Sequence, residues 1–199
     1  MVVVKIGDGL GNQMYNYVCG YSVAKHDGDT LLLDTTEVDN STFRTYGLDE
    51  FNIDYTKRES FSNKSFFHKV YKRLRRDLKY NVILERSGES NPLDMNVYKK
   101  KFIRNKYLKG YFQNIYYFNT CKNDILRQFT PKKPFPQKAQ QLEAGDSCSL
   151  HIRGGDIPPL PIGYYANVLE DLGQKNGKPR IVVQNLPDGS CCSHNVHLP

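Results

Sequence analysis

A short apolar segment near residue 150 ends in side chains that could bind an anion. Residues 149–157 read Ser-Leu-His-Ile-Arg-Gly-Gly-Asp-Ile, so a strand-like alternation leads into Arg153, two glycines and Asp156. Open α/β sheets bind ligands at the carboxyl ends of their strands, and a guanidinium is a planar two-pronged donor to phosphate or carboxylate. We interpret Arg153 as the centre of an oxyanion site. The alternative is a solvated turn with a local ion pair.

The glycine-rich stretch Gly7 to Gly11 is a second candidate for anion binding. Its sequence is Gly-Asp-Gly-Leu-Gly, and a helix that follows it would direct free backbone N–H groups at a diphosphate. A dinucleotide-binding loop requires a third glycine at position 12, which is Asn12, although Asp34 fits the acidic residue expected after the second strand. This spacing disfavours an NAD-binding oxidoreductase, which stays open as an alternative, as does a tight turn without a ligand.

The carboxy-terminal tail carries residue types that bind metals. Cys191, Cys192, His194 and His197 are soft ligands, but adjacent cysteines rarely chelate one ion and chain ends are usually poorly ordered. The five cysteines of the chain show no C-x-x-C pairs, so neither a disulfide framework nor a zinc knuckle is indicated. We therefore predict no metal site.

The composition favours anionic partners. The net charge is +7 and 39% of the residues are hydrophobic, enough for a core. Many of the basic residues lie on a predicted amphipathic helix, Phe66 to Leu78. Others form a cluster before an aromatic run: Lys99, Lys100, Lys101, Arg104 and Lys106. A nucleic-acid-binding module is therefore a non-enzyme alternative, without a recognisable RNA-binding motif. With no signal peptide or membrane span, we expect a location in the cytoplasm or peripheral on a membrane.

Alternating strand and helix patterns would position these groups. Val2 to Ile6 is a predicted strand, Asn12 to Lys25 a helix and Thr30 to Asp34 a second strand, which together make a βαβ unit with a parallel sheet. Tyr116 to Phe129 is predicted as one helix. Its inward residues are Phe118, Ile125, Leu126 and Phe129.

The proline-rich stretch Thr130 to Pro136 marks the best linker. After it, a strand at Cys148 to Arg153, a helix at Ile162 to Leu172 and a strand at Arg180 to Gln184 predict a second βαβ unit. We predict an α/β protein with a Rossmann-like domain at 1–130, a linker at 131–147 and an incomplete second Rossmann-like domain at 148–199.

Several segments resemble the α-1,2-fucosyltransferases, glycosyltransferase family 11. Residues 5–17, Lys-Ile-Gly-Asp-Gly-Leu-Gly-Asn-Gln-Met-Tyr-Asn-Tyr, are similar to the family's amino-terminal GGLGNQMFQY segment, and His151 to Asp156 resembles its HxRRxD motif. The segments 31–34, 46–53 and 107–113 are similar to further family segments in the same order. The likeness runs in register to about Leu172.

The resemblance implies a two-domain sugar transferase of the GT-B type, in which residues 1–130 form the acceptor-side domain and residues 148–199 a partial donor-binding domain with a divergent tail. It implies transfer of L-fucose, with inversion, from GDP-fucose to the 2-hydroxyl of a galactoside in a glycan or glycolipid, without a cofactor, a required metal or a nucleic-acid partner. Arg153 would pair with the donor phosphate, His151 would shape the site, and Asp156 or Asp8 would be the base. The donor-facing residues across an interdomain cleft would be Gly9, Gly11, Asn12 and Gln13.

Two departures from the family pattern weaken this expectation. Gly154 stands where the family motif has a second arginine. Residues 148–199 are also too few for a complete second domain, which usually takes roughly 100 to 150 residues, and the likeness is lost after about Lys178. We therefore expect a truncated chain that is poorly stable and has weak or no transferase activity.

Overall fold

The structure is a computed structural model that describes residues 1–55, 57–60, 80–85, 97–98, 105–143, 147–152, 160–176, 180–185 and 192–196. The chain divides into two compact units, Met1–Lys133 and Pro134–Pro199. The predicted helix Phe66 to Leu78 lies outside the described residues. The predicted linker at 131–147 contains a short helix, so the connection is partly structured.

The first unit opens with the predicted βαβ unit, which is confirmed. Strand β1 (Val2–Lys5) is followed by helix α1 (Leu10–Asp27) and strand β2 (Leu31–Asp34), and β1 pairs in parallel with β2. The helix ends at Gly28, whose φ of 65° is the left-handed conformation that favours glycine at a helix C-cap. A short helix α2 (Thr36–Asp39) and a 3₁₀ turn (Leu48–Glu50) follow β2.

The sheet of the first unit has three further strands that the sequence analysis did not predict. They are β3 (Lys57–Glu59), β4 (Asn81–Leu84) and β5 (Lys106–Lys109). The order is β3-β2-β1-β5-β4 and all the pairs are parallel. Strands β1 and β5 are adjacent in the sheet and parallel, so the loops that follow them leave from the same carboxyl edge. Open α/β sheets bind ligands at this edge.

The sequence analysis placed Lys106 in an exposed basic cluster, and the structure shows that this placement is wrong. Its side chain is only 3% exposed, and its ammonium lies 2.7 Å from Oδ2 of Asp27, at the end of α1. The same Nζ donates to the carbonyl oxygen of Val97 at 2.7 Å. Lys106 is therefore part of the interior of the unit and is not available for nucleic acid.

The main core lies between the sheet and α1. It is built from alternate strand residues such as Val2, Val4, Leu33 and Leu108. The helix approaches the strands most closely at Gly20, where a Cβ atom would lie 2.7 Å from Cγ1 of Val4. Glycine at this position therefore permits the close packing of helix and strand. The opposite face carries a smaller cluster of Val3, Leu32 and Tyr107.

The predicted helix Tyr116 to Phe129 is in fact two helices, α3 (Ile115–Asn119) and α4 (Lys122–Gln128). The Thr120 hydroxyl donates to the carbonyl of Tyr117 and lies 2.5 Å from the Ser22 hydroxyl, so local side-chain hydrogen bonds compete with helix continuation. Ile125 is buried as predicted, whereas Leu126 is exposed, because consecutive helix residues lie about 100° apart around the axis and Phe118, Ile125 and Phe129 occupy the inward face.

The second unit contains helix α5 (Gln137–Glu143), strand β6 (Ser147–Ile152), helix α6 (Ile162–Asn176), and strands β7 (Arg180–Asn185) and β8 (Cys192–Val196). The β6 and β7 strands are parallel, which confirms the second βαβ unit and the α/β, Rossmann-like fold class. Strand β8, which was not predicted, pairs antiparallel with β7. Within the described ranges, no helix is long and apolar enough to cross a membrane.

Candidate functional site

The candidate site lies at the carboxyl edge of the sheet in the first unit, between the loops that follow the neighbouring strands β1 and β5. Nε2 of Gln113, after β5, donates to Oδ1 of Asn12, in the first turn of α1, at 2.6 Å. The two residues are 101 positions apart in the sequence. Both belong to segments that resemble the fucosyltransferases, and the fold brings these segments together.

Each of the two loops contains a residue with a positive φ. Asp8 has φ of 60° and Phe112 has φ of 51°, and in the described part of the chain no other residue besides glycine has a positive φ. The Phe112 side chain is buried and its N–H donates to Oε2 of Glu85, after β4. Unusual backbone conformations cluster at ligand sites and persist only where the surroundings hold them.

Gln13 holds the glycine loop from inside. Its side chain is 0% exposed; Nε2 donates to the carbonyls of Asp8 and Thr45 at 2.8 and 2.9 Å, and Oε1 accepts from the N–H of Gly47 at 3.0 Å. The amide is therefore engaged by backbone on both sides. The predicted donor-binding role of Gln13 stays a prediction, and in this conformation it would act through the shape of the loop.

Segment 45–50, which Gln13 contacts, is held by a second set of contacts around Arg58. The guanidinium donates to Asp39 at 2.6 Å and to Asp49 at 2.9 Å, and it lies 3.8 Å from the centroid of the Tyr46 ring. Burial acts to raise the pKa of Asp39, but hydrogen bonds from Thr35 and Arg58 outweigh it and hold that pKa below its ordinary value. The segment beneath the glycine loop is thus anchored at both ends.

The glycines of the loop have different reasons for being glycine. A Cβ atom on Gly7 would lie 2.5 Å from Oε1 of Glu37, so the half-exposed Glu37 side chain would have to move to make room for it. At Gly9 and Gly11, by contrast, no described atom lies within 4 Å of such a Cβ apart from the chain neighbours and the local helix backbone. Gly9 also has an ordinary extended conformation, with φ of −72°. These two positions leave open space beside the start of α1, where a ligand could approach the backbone.

Asp34 is already engaged by the protein. The side chain is 6% exposed; Oδ2 accepts from the Tyr107 hydroxyl at 2.6 Å, and Oδ1 accepts from the N–H and hydroxyl of Thr36 at 3.1 and 2.6 Å. A dinucleotide-binding fold needs this carboxylate for the ribose hydroxyls. The geometry therefore counts against the NAD-binding alternative.

Asn16, Gln113 and Glu85 are site residues that the sequence analysis did not select. Asn16 is 5% exposed and donates to the carbonyl of Lys5 at 3.0 Å, while its Oδ1 has no partner within the described part of the chain. Gln113 lay within a segment quoted for the resemblance, which was the one available signal. Glu85 follows a strand that was not predicted, and no sequence pattern pointed to it.

The other predicted site residues belong to the second unit. The backbone of His151 lies in β6, near its end. Arg153 and Asp156 lie outside the described residues, as do Cys191 and His197 of the tail. Their roles stay predictions. Across the ranges that the structure describes, no three His, Cys, Asp or Glu side chains come together as a candidate metal site.

Comparison with known proteins finds a curated relative that is a glycosyltransferase. The chain is 30% identical over 166 residues to a protein of Escherichia coli named "Alpha-1,2-colitosyltransferase". The alignment covers 78% of this chain and 55% of the relative, so the chain spans about half of that protein's length. No protein-family model matches the chain, and no solved structure matches it significantly. Over most of its length, then, the chain is similar to a sugar transferase.

Proposed function

We propose that this chain belongs to an inverting glycosyltransferase that moves L-fucose from GDP-fucose to the 2-hydroxyl of a galactoside. The observation that carries the proposal is the 30% identity to the colitosyltransferase over 166 residues. That similarity supports the general class, a transferase that makes an α-1,2 linkage. The identity of the sugar and of the nucleotide is the finer part of the proposal and comes from the resemblance to fucosyltransferases.

The geometry of the first unit supports a ligand site in the expected place. The start of α1 offers backbone N–H groups beside two glycines with open space. Asn12 and Gln113 add a pair of amides at the same edge. In our proposal, Gly9, Gly11 and Asn12 bind the donor, and Arg153 stabilises the charge on the departing diphosphate.

The choice of donor sugar is open to a direct comparison. Colitose and L-fucose are both 6-deoxy-L-galactose sugars and differ by a hydroxyl at carbon 3. If the site forms a hydrogen bond with this hydroxyl, a sugar without it leaves a buried polar group unpaired and is strongly rejected. An apolar pocket at the same position would distinguish the two sugars only weakly. We therefore expect a measurable preference between the GDP derivatives of the two sugars.

The test is a calorimetric titration of the purified chain with GDP-fucose, with GDP-colitose and NADH as comparison ligands. We expect GDP-fucose to bind, NADH not to bind, and binding to be lost in Arg153→Ala. Lys99→Ala is the control cation and should bind GDP-fucose as the wild type does. Mass spectrometry of a β-galactoside incubated with the donor then detects transfer. A folded chain that binds neither GDP-sugar, or binds NADH instead, contradicts the proposal.

A further inference from the structure

We propose that Asp8 is the general base of this transfer and that buried Gln13 is the positioning residue that holds it. This inference rests on the proposed function and goes beyond it, because it selects one carboxylate for the acceptor hydroxyl. Four observations on the first unit carry it: the backbone conformation of Asp8, the anchoring of its carbonyl, the engagement of the neighbouring carboxylates and the open space beside it.

The backbone at Asp8 is held in a left-handed conformation, which is unfavourable for residues other than glycine. Its φ of 60° lies in the left-handed region, which Asp tolerates better than most residues but glycine adopts freely. Its carbonyl accepts from Nε2 of Gln13 at 2.8 Å, and the Gln13 amide is fully buried. The direction in which the Asp8 side chain leaves the loop is therefore set by a rigid internal contact.

The neighbouring carboxylates at this edge of the sheet are already engaged. Asp34 accepts hydrogen bonds on both oxygens, Glu37 forms an ion pair with Lys5, and Glu85 accepts from the N–H of Phe112. Asp8 differs, because its half-buried carboxylate forms no hydrogen bond or ion pair with the residues that the structure describes. Its oxygens are therefore open to a hydrogen bond from a ligand.

A ligand can reach this carboxylate. Gly9 follows Asp8 directly, and apart from its two chain neighbours no described atom lies within 4 Å of a Cβ atom built on Gly9. The Asp8 side chain itself is partly exposed. The same open space adjoins the first turn of α1, where we place the donor diphosphate. An acceptor hydroxyl bound over Gly9 would thus lie between the proposed base and the proposed donor, which is the arrangement that an in-line displacement requires.

The proposed step is balanced without a further reactant. The oxygen of the galactoside 2-hydroxyl attacks the anomeric carbon of the fucosyl group and forms the new glycosidic bond. The bond between that carbon and the phosphate oxygen breaks, and GDP leaves with the electron pair. The proton of the hydroxyl passes to the Asp8 carboxylate, and the configuration at the anomeric carbon inverts. General bases of this kind usually contribute about 10²- to 10⁴-fold in rate.

Asp8→Gly gives a sharp test, because it removes the carboxylate and relieves the backbone conformation at once. We expect a melting temperature equal to or above that of the wild type, an unchanged affinity for GDP-fucose, and a transfer rate lower by about 10²- to 10⁴-fold. Asp8→Asn should lose a similar factor with its side-chain volume kept. Asp54→Asn, at an exposed carboxylate elsewhere on the unit, is the matched control and should transfer at the wild-type rate.

A binding measurement separates this inference from the proposed function. A galactoside should bind Asp8→Gly about tenfold more weakly than it binds the wild type, since a hydrogen bond to a charged group is lost. A 2-deoxygalactoside should bind both equally. Wild-type transfer by Asp8→Gly, or equal galactoside affinity in the two proteins, overturns the role of Asp8 alone. A wild-type chain that binds neither GDP-sugar but shows the galactoside affinity difference refutes the proposed function and keeps Asp8 as the ligand of the hydroxyl.

Discussion

At the scale of single residues, Gln13 shows how a polar side chain can organise a loop from within. Its amide satisfies two backbone carbonyls and one N–H that belong to segments 32 and 34 positions away or to the glycine loop itself. Buried backbone groups almost always have partners, and this side chain provides them where no strand or helix can. The shape of the loop thus depends on one amide.

Replacing Gln13 with Ala should therefore destabilise the first unit by about 2 to 4 kcal/mol, because three hydrogen bonds are lost and their backbone partners stay buried. Urea unfolding at neutral pH measures the change. Gln113→Ala is the matched control: this glutamine is exposed and makes one hydrogen bond to Asn12, so the expected change is within about 0.5 kcal/mol. Equal losses in the two variants would argue against an internal role for Gln13.

Gly11 presents the opposite case, a residue that weakens the fold without a packing reason. It lies in the first turn of α1, where alanine is the better helix former, and no described atom would contact an added Cβ. Gly11→Ala should raise the free energy of unfolding by about 0.4 to 1 kcal/mol and weaken GDP-fucose binding at least tenfold.

Gly163 supplies the control for this prediction. It occupies the same position in α6 that Gly11 occupies in α1, and its Cβ position is equally open. Gly163→Ala should stabilise the chain by a similar amount and leave donor binding unchanged. If Gly11→Ala bound GDP-fucose as tightly as Gly163→Ala, the open space at Gly11 would have no part in donor binding.

At the scale of elements, the pair of Asp27 and Lys106 joins the end of α1 to the start of β5. The side chains are 9% and 3% exposed, so the pair is largely removed from water. Burial acts to raise the pKa of Asp27, but hydrogen bonds from Lys106 and His26 outweigh it and keep the pKa below its ordinary value. A charged pair of this kind costs little when intact and much when one partner is removed.

Asp27→Asn should accordingly destabilise the protein by about 3 to 5 kcal/mol at neutral pH, because Lys106 keeps a buried charge. Since the pKa of Asp27 is lowered on folding, its contribution is present above the unfolded value of about 3.9 and is lost as the pH falls through the folded value. The difference between wild type and variant should thus shrink below about pH 4 in urea titrations. Glu50→Gln, in an exposed pair with Lys133, should show little change at any pH.

The helices and strands that could be predicted from the sequence are those whose apolar side chains recur at the regular spacing of a helix or a strand. Apolar strands β1 and β2 and the long helix α1 were predicted within a few residues. Strand β5 was missed because its first residue is a lysine, which looks solvent-exposed until Asp27 is brought beside it. The division between α3 and α4 was missed because the apolar period of the sequence continues through Thr120 and Cys121. The helix is interrupted there by hydrogen bonds that these two side chains make with Ser22 and Tyr117.

At the scale of the whole molecule, the order of the strands is what creates the candidate site, and the sequence carried no signal for it. The sheet places β5 against β1, so that Asn12 meets Gln113. Pairing of strands this far apart depends on tertiary contacts, which no local pattern reports. The resemblance to a family identified both segments but did not show that they touch.

The first unit should fold without the second. Its main core is formed by residues between Val2 and Ile125, and the unit extends to Lys133. We expect a fragment of residues 1–133 to unfold cooperatively in urea, with a midpoint close to that of the first unit in the full chain. A fragment of residues 1–104 lacks β5 and the core residues Leu108, Phe112 and Ile125, and it should not fold cooperatively. Cooperative folding of the shorter fragment would contradict this view.

The late arrival of β5 also bears on how the chain is made. A ribosome adds about 5 to 20 residues per second. The 101 positions between Asn12 and Gln113 therefore correspond to roughly 5 to 20 s during which the nascent β1 lacks its second neighbour. Through that interval an apolar strand, Val-Val-Val-Lys, presents an open edge to other chains on the same messenger. Slower initiation, which spaces the ribosomes farther apart, should favour soluble protein over aggregate.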